Sequence, residues 1–204
     1  MPYKTPSWLA PEAPAVPPPA PPLSRFLACL PYTLAQECPD PADWGDPANF
    51  SDDPHDPGGA TMCGITQGEY DAYRNALGEP EQDVELITRS EGQALYLANY
   101  WRPRCPQLPI GLDLSFFDSS VNMGPGQATE ILQFILDIGV DGIWGPQTDG
   151  AVTGISDVDG VINAFTAQRE AVYRSFSTFQ YFGADWIRRA SEIGDESIQM
   201  TAIA

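Results

Sequence analysis

Twenty-seven consecutive residues, Cys38 to Gly64, show neither a helical nor a strand period and separate two segments with helical patterns. Five prolines punctuate this stretch, which ends in the run DPGGATMCG. Proline removes a backbone donor and fixes φ, so neither a continuous helix nor a central strand can run through it. Loops of this length in compact domains are usually functional or disordered. We therefore expect a helical fold with its site at this loop.

A helix is predicted directly before the loop, over residues 24–37. Its apolar side chains recur at helical spacing and form one face: Phe26, Leu27, Leu30 and Leu34. Pro31 is expected to kink this helix, and Glu37 ends it. An acidic residue thus stands at the junction between an apolar helix and a polar, proline-restricted loop.

Helical patterns continue after the loop. Two capping-box spacings, Thr66 with Glu69 and Thr88 with Glu91, each precede a helical segment. The segment 112–121 is predicted to be the most buried helix, because its large apolar side chains leave little polar surface.

The C-terminal part is also predicted to be helical. A long amphipathic stretch covers residues 158–179, and the segment DWIRRASEI follows it. No convincing strand is found apart from short ones inside the long loop. The predicted fold class is therefore mainly α.

The N-terminal segment differs in composition, with nine prolines among residues 1–22. Such a sequence cannot hold a helix and favours an extended polyproline conformation. Two interpretations remain open at this stage: a disordered tail, or a strap that docks on a larger assembly.

The chain carries 28 acidic and 10 basic residues, which give a formal net charge of −18. This charge opposes association with nucleic acid or an anionic membrane, since both depend on Lys and Arg. No apolar run approaches the roughly 20 residues of a membrane-spanning helix, and the first twenty residues show no secretory signal pattern. We expect neither nucleic-acid binding nor membrane insertion.

The cysteines and the single histidine restrict the available chemistry. The four cysteines form no C-x-x-C pair, and one histidine gives a zinc site few ligands. We expect no metal and no cofactor. Cytosolic synthesis favours four free thiols, whereas export would allow a pair such as Cys38 and Cys63 to oxidise; Cys29 and Cys105 complete the set.

Two carboxyl groups on either side of a bond can hydrolyse a sugar linkage without a metal, when one is protonated and the other ionised. Glu37 is a candidate for the acid, because partial burial at the end of an apolar helix favours the protonated form. Asp56 is a candidate for the ionised partner, because the loop restricts it and exposes backbone N–H groups. The residues alone equally allow a solvated Glu37 and a turn-forming Asp56.

Four motifs resemble, in this order along the chain, the bacterial and phage N-acetylmuramidases of glycoside hydrolase family 108: DPGGATMCGIT, YLANYW, FFDSSVNMG and DGIWGPQT. The later segment REAVYRSFSTFQYFGADWIRRASEI is similar to the predicted peptidoglycan-binding domain that follows the catalytic part in that family. The resemblance spans about residues 25–193, and the D-P-G-G-A-T-x-x-G-I-T run is its most specific element.

The resemblance implies a lysozyme-like fold and cleavage of the β-1,4 bond between N-acetylmuramic acid and N-acetylglucosamine. It divides the chain into a Pro-rich arm over residues 1–23 and a lysozyme-like muramidase domain over residues 24–122. A small helical peptidoglycan-binding-like domain would follow over residues 123–193, and a tail over residues 194–204.

The sequence departs from the family pattern at the catalytic acid. The family places a glutamate in an E-G-G run shortly before the D-P-G-G loop, whereas Glu37 lies nineteen positions before Asp56 and no glycine follows it. Either an insertion over residues 38–49 leaves Glu37 in place, or Asp46 has replaced the acid. The insertion is favoured, because a longer surface loop costs little free energy and aspartic acid is intrinsically the stronger acid.

By the same resemblance, Glu37 would be the general acid, while Asp56 and Thr61 would stabilise developing positive charge and position a water molecule. Attack of water from the opposite face gives inversion of configuration. This mechanism predicts a separation of roughly 6.5–9.5 Å between the two carboxyl groups.

Other residues have weaker assignments. Asn122 is predicted to offer its amide to an N-acetyl group of the substrate or to cap the buried helix, and Trp101 to stack on a sugar. Trp144 is expected in the core rather than in the site. His55, between acidic residues, is interpreted as a loop residue without a chemical role.

The expected partner is peptidoglycan, an anionic polymer. A freely diffusing lysozyme gains association rate from positive charge, which this chain lacks. We therefore expect delivery in place, in a phage tail or a similar machine that holds the Pro-rich arm, or into the bacterial periplasm and cell wall. The alternatives are a non-catalytic structural or glycan-binding tail subunit and a secreted antibacterial effector.

Overall fold

A computed structural model describes residues 23–52 and 59–203 of the chain. The described part contains eight α-helices and one small sheet, joined by short 3-10 turns. The helices are α1 (Leu23–Glu37), α2 (Gln67–Leu77), α3 (Arg89–Tyr96), α4 (Leu112–Met123), α5 (Pro125–Ile135), α6 (Pro146–Thr153), α7 (Val158–Ser175) and α8 (Phe179–Ala202). The predicted mainly α class is confirmed. Within the described residues, no helix has the length and apolar character needed to cross a membrane.

Two strands of the sheet lie within the long loop, where the sequence allowed short strands, and the third follows it directly. It is antiparallel in the order of the chain: β1 (Phe50–Ser51), β2 (Thr61–Met62) and β3 (Ile65–Thr66). Met62 is the central residue of the register, opposite Phe50 on one side and Ile65 on the other. Because Met62 and Ile65 are each 1% exposed, the sheet packs one face into the core and leaves the other face of the hairpin outside it.

The two capping boxes form as predicted. Thr66 accepts the backbone N–H of Glu69, whose carboxylate accepts the N–H of Thr66, and the same reciprocal pair joins Thr88 and Glu91. α2 ends at Gly78, which takes the left-handed conformation at φ 75°. α3 runs into a π-helical turn, Leu97–Trp101, rather than continuing as a regular α-helix to Pro103. Local sequence signals thus define where these helices begin and where α2 ends.

α4 is the centre of the core, as predicted for the segment 112–121. Its residues from Leu112 to Ser120 are all buried. α1, α5, α7 and α8 pack around it. The ring of Phe116 contacts Trp144, and that of Phe117 contacts Phe26. A helix surrounded in this way needs no amphipathic stripe, which explains its even distribution of apolar side chains.

The C-terminal region differs in detail from the predicted boundaries. The stretch 158–179 is interrupted, because α7 ends at Ser175 and α8 begins at Phe179. Residues 194–202, expected as a tail, are the last turns of α8, and Ser197 there is buried against Ser115 with 2.8 Å between their hydroxyl oxygens.

The predicted boundary between residues 122 and 123 falls inside α4, against which both α7 and α8 pack. The Pro-rich arm, apart from residue 23, lies outside the described residues. Its two interpretations, tail or strap, remain as the sequence left them.

A buried ion network ties α4 to the two C-terminal helices. Asp118, fully buried on α4, accepts hydrogen bonds from Arg189 Nε at 3.0 Å and Nη2 at 2.8 Å, and Arg169 Nη2 lies 2.7 Å from its Oδ2. Burial alone would raise the pKa of Asp118, but the two guanidinium groups outweigh it and hold that pKa below its ordinary value. Asp118 is therefore the ionised centre of the network.

We predict that Asp118→Ala destabilises the fold strongly, because it leaves two buried guanidinium groups without their shared counterion. The expected loss in the free energy of unfolding is about 3–5 kcal/mol, measured by urea denaturation. Asp195→Ala is the matched control, since Asp195 is an exposed aspartate on α8, and it should change stability by less than about 0.5 kcal/mol. Equal effects of the two substitutions would contradict a structural role for the network.

Candidate active site

Glu37 is held at the C-terminal end of α1 with its side chain 18% exposed. Its Oε1 lies 2.7 Å from Nη1 of Arg189 on α8. Among the described residues, its Oε2 has no hydrogen-bond partner and lies against Gly64. Glu37 is thus not a solvated surface acid, because one of its oxygens is held by Arg189.

The guanidinium group of Arg189 is held in one orientation because all three of its nitrogen atoms have carboxylate partners. Nε and Nη2 bind Asp118, and Nη1 faces Glu37. Burial alone would lower the pKa of Arg189, but the carboxylates of Asp118 and Glu37 raise it above its ordinary value. Arg189 therefore remains a permanent positive charge, and its rigid fork sets the position of Glu37.

Gly64, in the turn between β2 and β3, lies directly against Glu37. A Cβ atom added to Gly64 would lie 2.7 Å from Oε2 of Glu37, and Gly64 adopts φ 74°, which favours glycine. Gly64 is the third glycine of the DPGGATMCGIT motif. Glycine is needed there both for the turn and for the close approach of the acid.

A disulfide joins Cys38 and Cys63, the residues next to Glu37 and Gly64. The bond fixes the end of α1 to the hairpin. The sequence left free thiols and this disulfide as alternatives, and the structure has the disulfide. Cys63 adopts φ 47°, an unfavourable conformation for a residue with a Cβ atom. The disulfide and a 2.8 Å hydrogen bond from the hydroxyl of Tyr96 to the carbonyl of Cys63 hold it there.

The other two cysteines, Cys29 and Cys105, are free and buried in the core. Burial raises the pKa of both thiols, with the negative charge of Asp113 adding to it. Both residues are therefore apolar core side chains rather than reactive groups.

Two tyrosines, Tyr96 and Tyr100, lie near Glu37. Burial raises the pKa of Tyr96, and the nearby negative charge of Glu37 adds to that effect. Burial also raises the pKa of Tyr100, whose hydroxyl donates to Glu69. Both phenols therefore stay neutral and act as hydrogen-bond donors. Because Glu69 also accepts from Thr66, its carboxylate has a structural role in the cap of α2.

Asp46, the alternative acid, is a capping residue of a turn. Its carboxylate accepts the backbone N–H of Ala48 at 2.8 Å and caps the 3-10 turn Pro47–Asn49. A group used in this way already has a local structural partner. Asp46 is half-buried, and its known contacts are those of a turn residue.

The loop partners of Glu37 are described only in part. Asp56 and His55 lie outside the described residues, so their predicted positions and the predicted carboxyl separation are not addressed by the structure. Thr61 lies on β2, opposite Ser51 and Thr66. Because neighbouring residues of a strand alternate between its faces, Thr61 is on the face opposite the buried Met62.

The two predicted substrate-binding residues have different environments. Asn122, half-buried at the end of α4, accepts a 2.5 Å hydrogen bond from the hydroxyl of Tyr173 on α7. Trp101 is only 2% exposed and packs edge-on against Phe26 and Phe117. The structure thus corrects the prediction for Trp101: its ring is part of the core and has no face to offer a sugar.

Sequence reasoning missed Arg189 and Gly64 as residues that shape the site. One signal for Arg189 was available, because Asp118 stands in the helix predicted to be the most buried, and a buried carboxylate demands a counterion. Nothing in the sequence indicated which arginine supplies it. Gly64 was within the quoted motif, but its contact with Glu37 depends on how the hairpin packs against α1.

Two comparisons with known proteins give matches, one to a family and one to a solved structure. The family model Glycosyl hydrolase 108 matches residues 42–124. The chain is also similar in structure to SagA of Brucella abortus, with 28% sequence identity and a TM-score of 0.72, over 87% of this chain and 95% of that chain. A search of curated proteins gives no match.

The fold and the site together define a mainly α, lysozyme-like protein with a carboxylic acid anchored at the end of its first helix. Residues 42–124 match the Glycosyl hydrolase 108 model, in agreement with the resemblance drawn from the motifs. The match supports a glycosidase activity. The match begins after Glu37 and ends near the start of α5, so the peptidoglycan-binding-like role of residues 123–193 stays a prediction.

We predict that Gly64→Ala impairs glycosidase activity far more than its effect on stability explains. The left-handed backbone should cost about 1–2 kcal/mol, and the added methyl group would push the Glu37 carboxylate aside. A displacement of about 1 Å can reduce turnover on the order of 100-fold. The measurement is release of soluble fragments from purified peptidoglycan, together with urea denaturation.

Gly78→Ala is the matched control for this prediction. Gly78 has nearly the same φ, 75°, but no atom lies within 4 Å of its added Cβ. It should lose similar stability and keep its activity. If both variants retain full activity, the contact between Gly64 and Glu37 has no functional importance.

Proposed function

We propose that this protein is a lysozyme that cleaves the β-1,4 bond between N-acetylmuramic acid and N-acetylglucosamine in peptidoglycan. One observation carries the proposal: the half-buried Glu37, anchored by Arg189, lies against the hairpin of the segment that matches the Glycosyl hydrolase 108 model. A carboxylic acid in such a position is suited to protonate a leaving oxygen.

In the proposed reaction, protonated Glu37 gives its proton to the glycosidic oxygen as the bond from that oxygen to the anomeric carbon breaks. A water oxygen bonds to the anomeric carbon from the opposite face, and its proton passes to Asp56. The product has inverted configuration. Thr61, on the outer face of β2, would help to hold the water molecule.

Arg189 has a defined part in this scheme. When Glu37 has lost its proton, its carboxylate lies 2.7 Å from the charged guanidinium group, which stabilises it. Because Arg189 is also bound to Asp118 through two hydrogen bonds, it does not move when the charge on Glu37 changes. The positive charge is thus preorganised where negative charge develops.

The contacts of the two candidate acids support Glu37 over Asp46. Glu37 lies against the hairpin and is held by Arg189, whereas Asp46 uses its carboxylate to cap a 3-10 turn. The insertion over residues 38–49 is consistent with a Glu37 that keeps its place, because the disulfide from Cys38 to Cys63 fixes the end of α1 to the motif beyond the insertion.

We predict that Glu37→Gln reduces peptidoglycan cleavage by a factor of about 10²–10⁴, the usual contribution of a general acid. The fold should survive, because Arg189 keeps its two hydrogen bonds to Asp118. The measurement is the mass of fragments released from purified peptidoglycan, which also identifies the bond that is cut. Asp46→Asn is the matched control and should cleave at nearly the parental rate.

The same pair of variants separates the competing assignments. A Glu37→Gln protein that cleaves like the parent would remove Glu37 from the reaction, and loss of cleavage in Asp46→Asn alone would make Asp46 the acid. A parent that binds peptidoglycan without releasing fragments would favour the alternative function, a non-catalytic structural or glycan-binding subunit. That alternative draws on the fact that the matched part of the chain excludes Glu37.

We also propose that the enzyme is delivered in place by a phage tail or a comparable machine. The motivation is its net charge of −18, which opposes capture by an anionic wall. Tethering would replace electrostatic attraction by a high local concentration. The Pro-rich arm over residues 1–22 is the segment suited to hold the tether.

We predict that deletion of residues 1–22 leaves the cleavage of isolated peptidoglycan unchanged and abolishes incorporation into the delivering assembly. The physical reason is that α1, which carries Glu37, begins only at Leu23. The measurements are fragment release from purified walls and co-purification with assembled particles. Loss of cleavage with normal incorporation would contradict the tether and assign the arm to the catalytic fold.

A further inference from the structure

The disulfide between Cys38 and Cys63 lies directly beside the candidate acid. Cys38 is the residue after Glu37, and Cys63 is the residue before Gly64, where an added Cβ atom would lie 2.7 Å from Oε2 of Glu37. The bond therefore joins the two chain segments that meet at the acid: the end of α1 and the hairpin of β2 and β3.

We propose that this disulfide is a redox switch of the enzyme. The oxidised protein holds the hairpin against Glu37 and is active, whereas the reduced protein folds but cleaves its substrate slowly. The inference rests on the proposed function and adds a regulation to the same site. Thiols stay reduced in the cytosol and pair in the bacterial periplasm or outside the cell. Cleavage would therefore begin only in an oxidising compartment, where peptidoglycan is found.

The disulfide is the main tie between the hairpin and α1. Among the described residues, no hydrogen bond joins α1 to the hairpin. The hairpin bonds instead to β1 and, through the carbonyl of Cys63, to the hydroxyl of Tyr96 at 2.8 Å. Without the disulfide, the contact between Gly64 and Glu37 depends on packing alone.

The backbone of Cys63 makes the hairpin sensitive to the loss of this bond. Its φ of 47° is unfavourable for a residue with a Cβ atom, and such a conformation persists only where its surroundings hold it. When the disulfide opens, Cys63 loses one of the contacts that hold it and can relax toward a negative φ. Gly64, the next residue, then changes its position relative to Glu37.

The rest of the fold is held by interactions that do not involve the sulfur atoms. α1, α5, α7 and α8 surround α4, and Asp118 pairs with Arg169 and Arg189 of the C-terminal helices. Arg189 also pairs with Glu37. The reduced protein is therefore expected to keep its fold and its acid–arginine pair, and to lose the alignment of the acid with the hairpin.

The switching step is a thiol–disulfide exchange with a disulfide oxidant, for which glutathione disulfide serves as the probe. The thiolate of one cysteine bonds to a sulfur of the oxidant and releases one glutathione thiol. The second cysteine then bonds to the first and releases the other glutathione thiol. Two electrons pass from Cys38 and Cys63 to the oxidant, and the two protons of their thiols end on the two glutathione molecules.

Burial of the bond makes the oxidised state persistent. Cys38 is 4% exposed and Cys63 is fully buried in the described structure. Exchange requires access of a thiolate to a sulfur atom of the disulfide. A reductant therefore reaches the bond only when the hairpin opens, so the enzyme stays active once it has been oxidised.

The other two cysteines, Cys29 and Cys105, supply the matched control. Both are free and buried, Cys29 on α1 and Cys105 at the start of a 3-10 turn. A protein with Cys29→Ala and Cys105→Ala retains only the pair that forms the disulfide. Any response of that protein to an oxidant must come from Cys38 and Cys63.

The test compares the protein kept in dithiothreitol with the protein oxidised by glutathione disulfide. The measurements are kcat and KM on soluble glycan strands, free thiols by alkylation and mass spectrometry, and the fold by circular dichroism. We expect the reduced protein to keep its circular dichroism and KM while kcat falls by a factor on the order of 10–100, the effect of a displaced catalytic group. Cys38→Ser with Cys63→Ser should have the low kcat in both conditions, and the control variant should respond like the parent.

The outcomes separate this inference from the proposed function. Equal kcat in the two states, or a loss of activity that follows a loss of circular dichroism, would overturn the switch and leave the disulfide a structural crosslink. If the parent cleaves in neither state, the proposed function fails, and hydrogen exchange of residues 61–66 decides the switch. Faster exchange in the reduced protein supports a hairpin under redox control, and equal exchange overturns it.

Discussion

The guanidinium group of Arg189 is the interaction on which the arrangement of the site depends. Removing a charged group from water costs several kcal/mol, and only well-placed carboxylates with good hydrogen-bond geometry offset that cost. Arg189 meets this condition through two bonds to Asp118 and an ion pair to Glu37. Arg189 therefore couples the packing of α8 on α4 to the position of Glu37 at the end of α1, and a change in one alters the other.

This coupling changes how the family match should be interpreted. The matched range, residues 42–124, contains the hairpin and Asp118, but Glu37 precedes it and Arg189 follows it. The structural similarity to SagA covers 87% of the chain and therefore extends well beyond that range. The acid and its anchor come from the two ends of the described chain. Residues 123–193 thus contribute to the same site through α8, whatever they bind in addition.

The sequence predicted well those features that depend on neighbours in the chain. Both capping boxes, the glycine that ends α2 and the burial of α4 follow from residues a few positions apart. Glu37 could be singled out as a candidate, because the end of an apolar helix is visible as a change of period. The pairing of Glu37 with Arg189 was not predictable, since the two residues are 152 positions apart and the chain has nine arginines. Trp101 was misplaced because an aromatic residue looks the same in a core as in a site.

Residues 38–49, the stretch proposed to be an insertion, are held in place by contacts of their own. Trp44 is buried over Gly92 of α3, where a Cβ atom would leave it no room. The side chain of Asn49 binds the backbone of Asp40 and Asp43, so that the insertion closes on itself.

The disulfide between Cys38 and Cys63 then joins the start of the insertion to the hairpin beyond it. Loop length enters the free energy only logarithmically, so a segment fixed at both ends can grow with little cost. The position of Glu37 is set by Arg189, Gly64 and the disulfide, and not by the number of residues that separate it from the DPGG run. The proposal of Glu37 as the acid therefore depends on the contacts that hold it in place, and not on distance along the chain, which would favour a residue near Asp46.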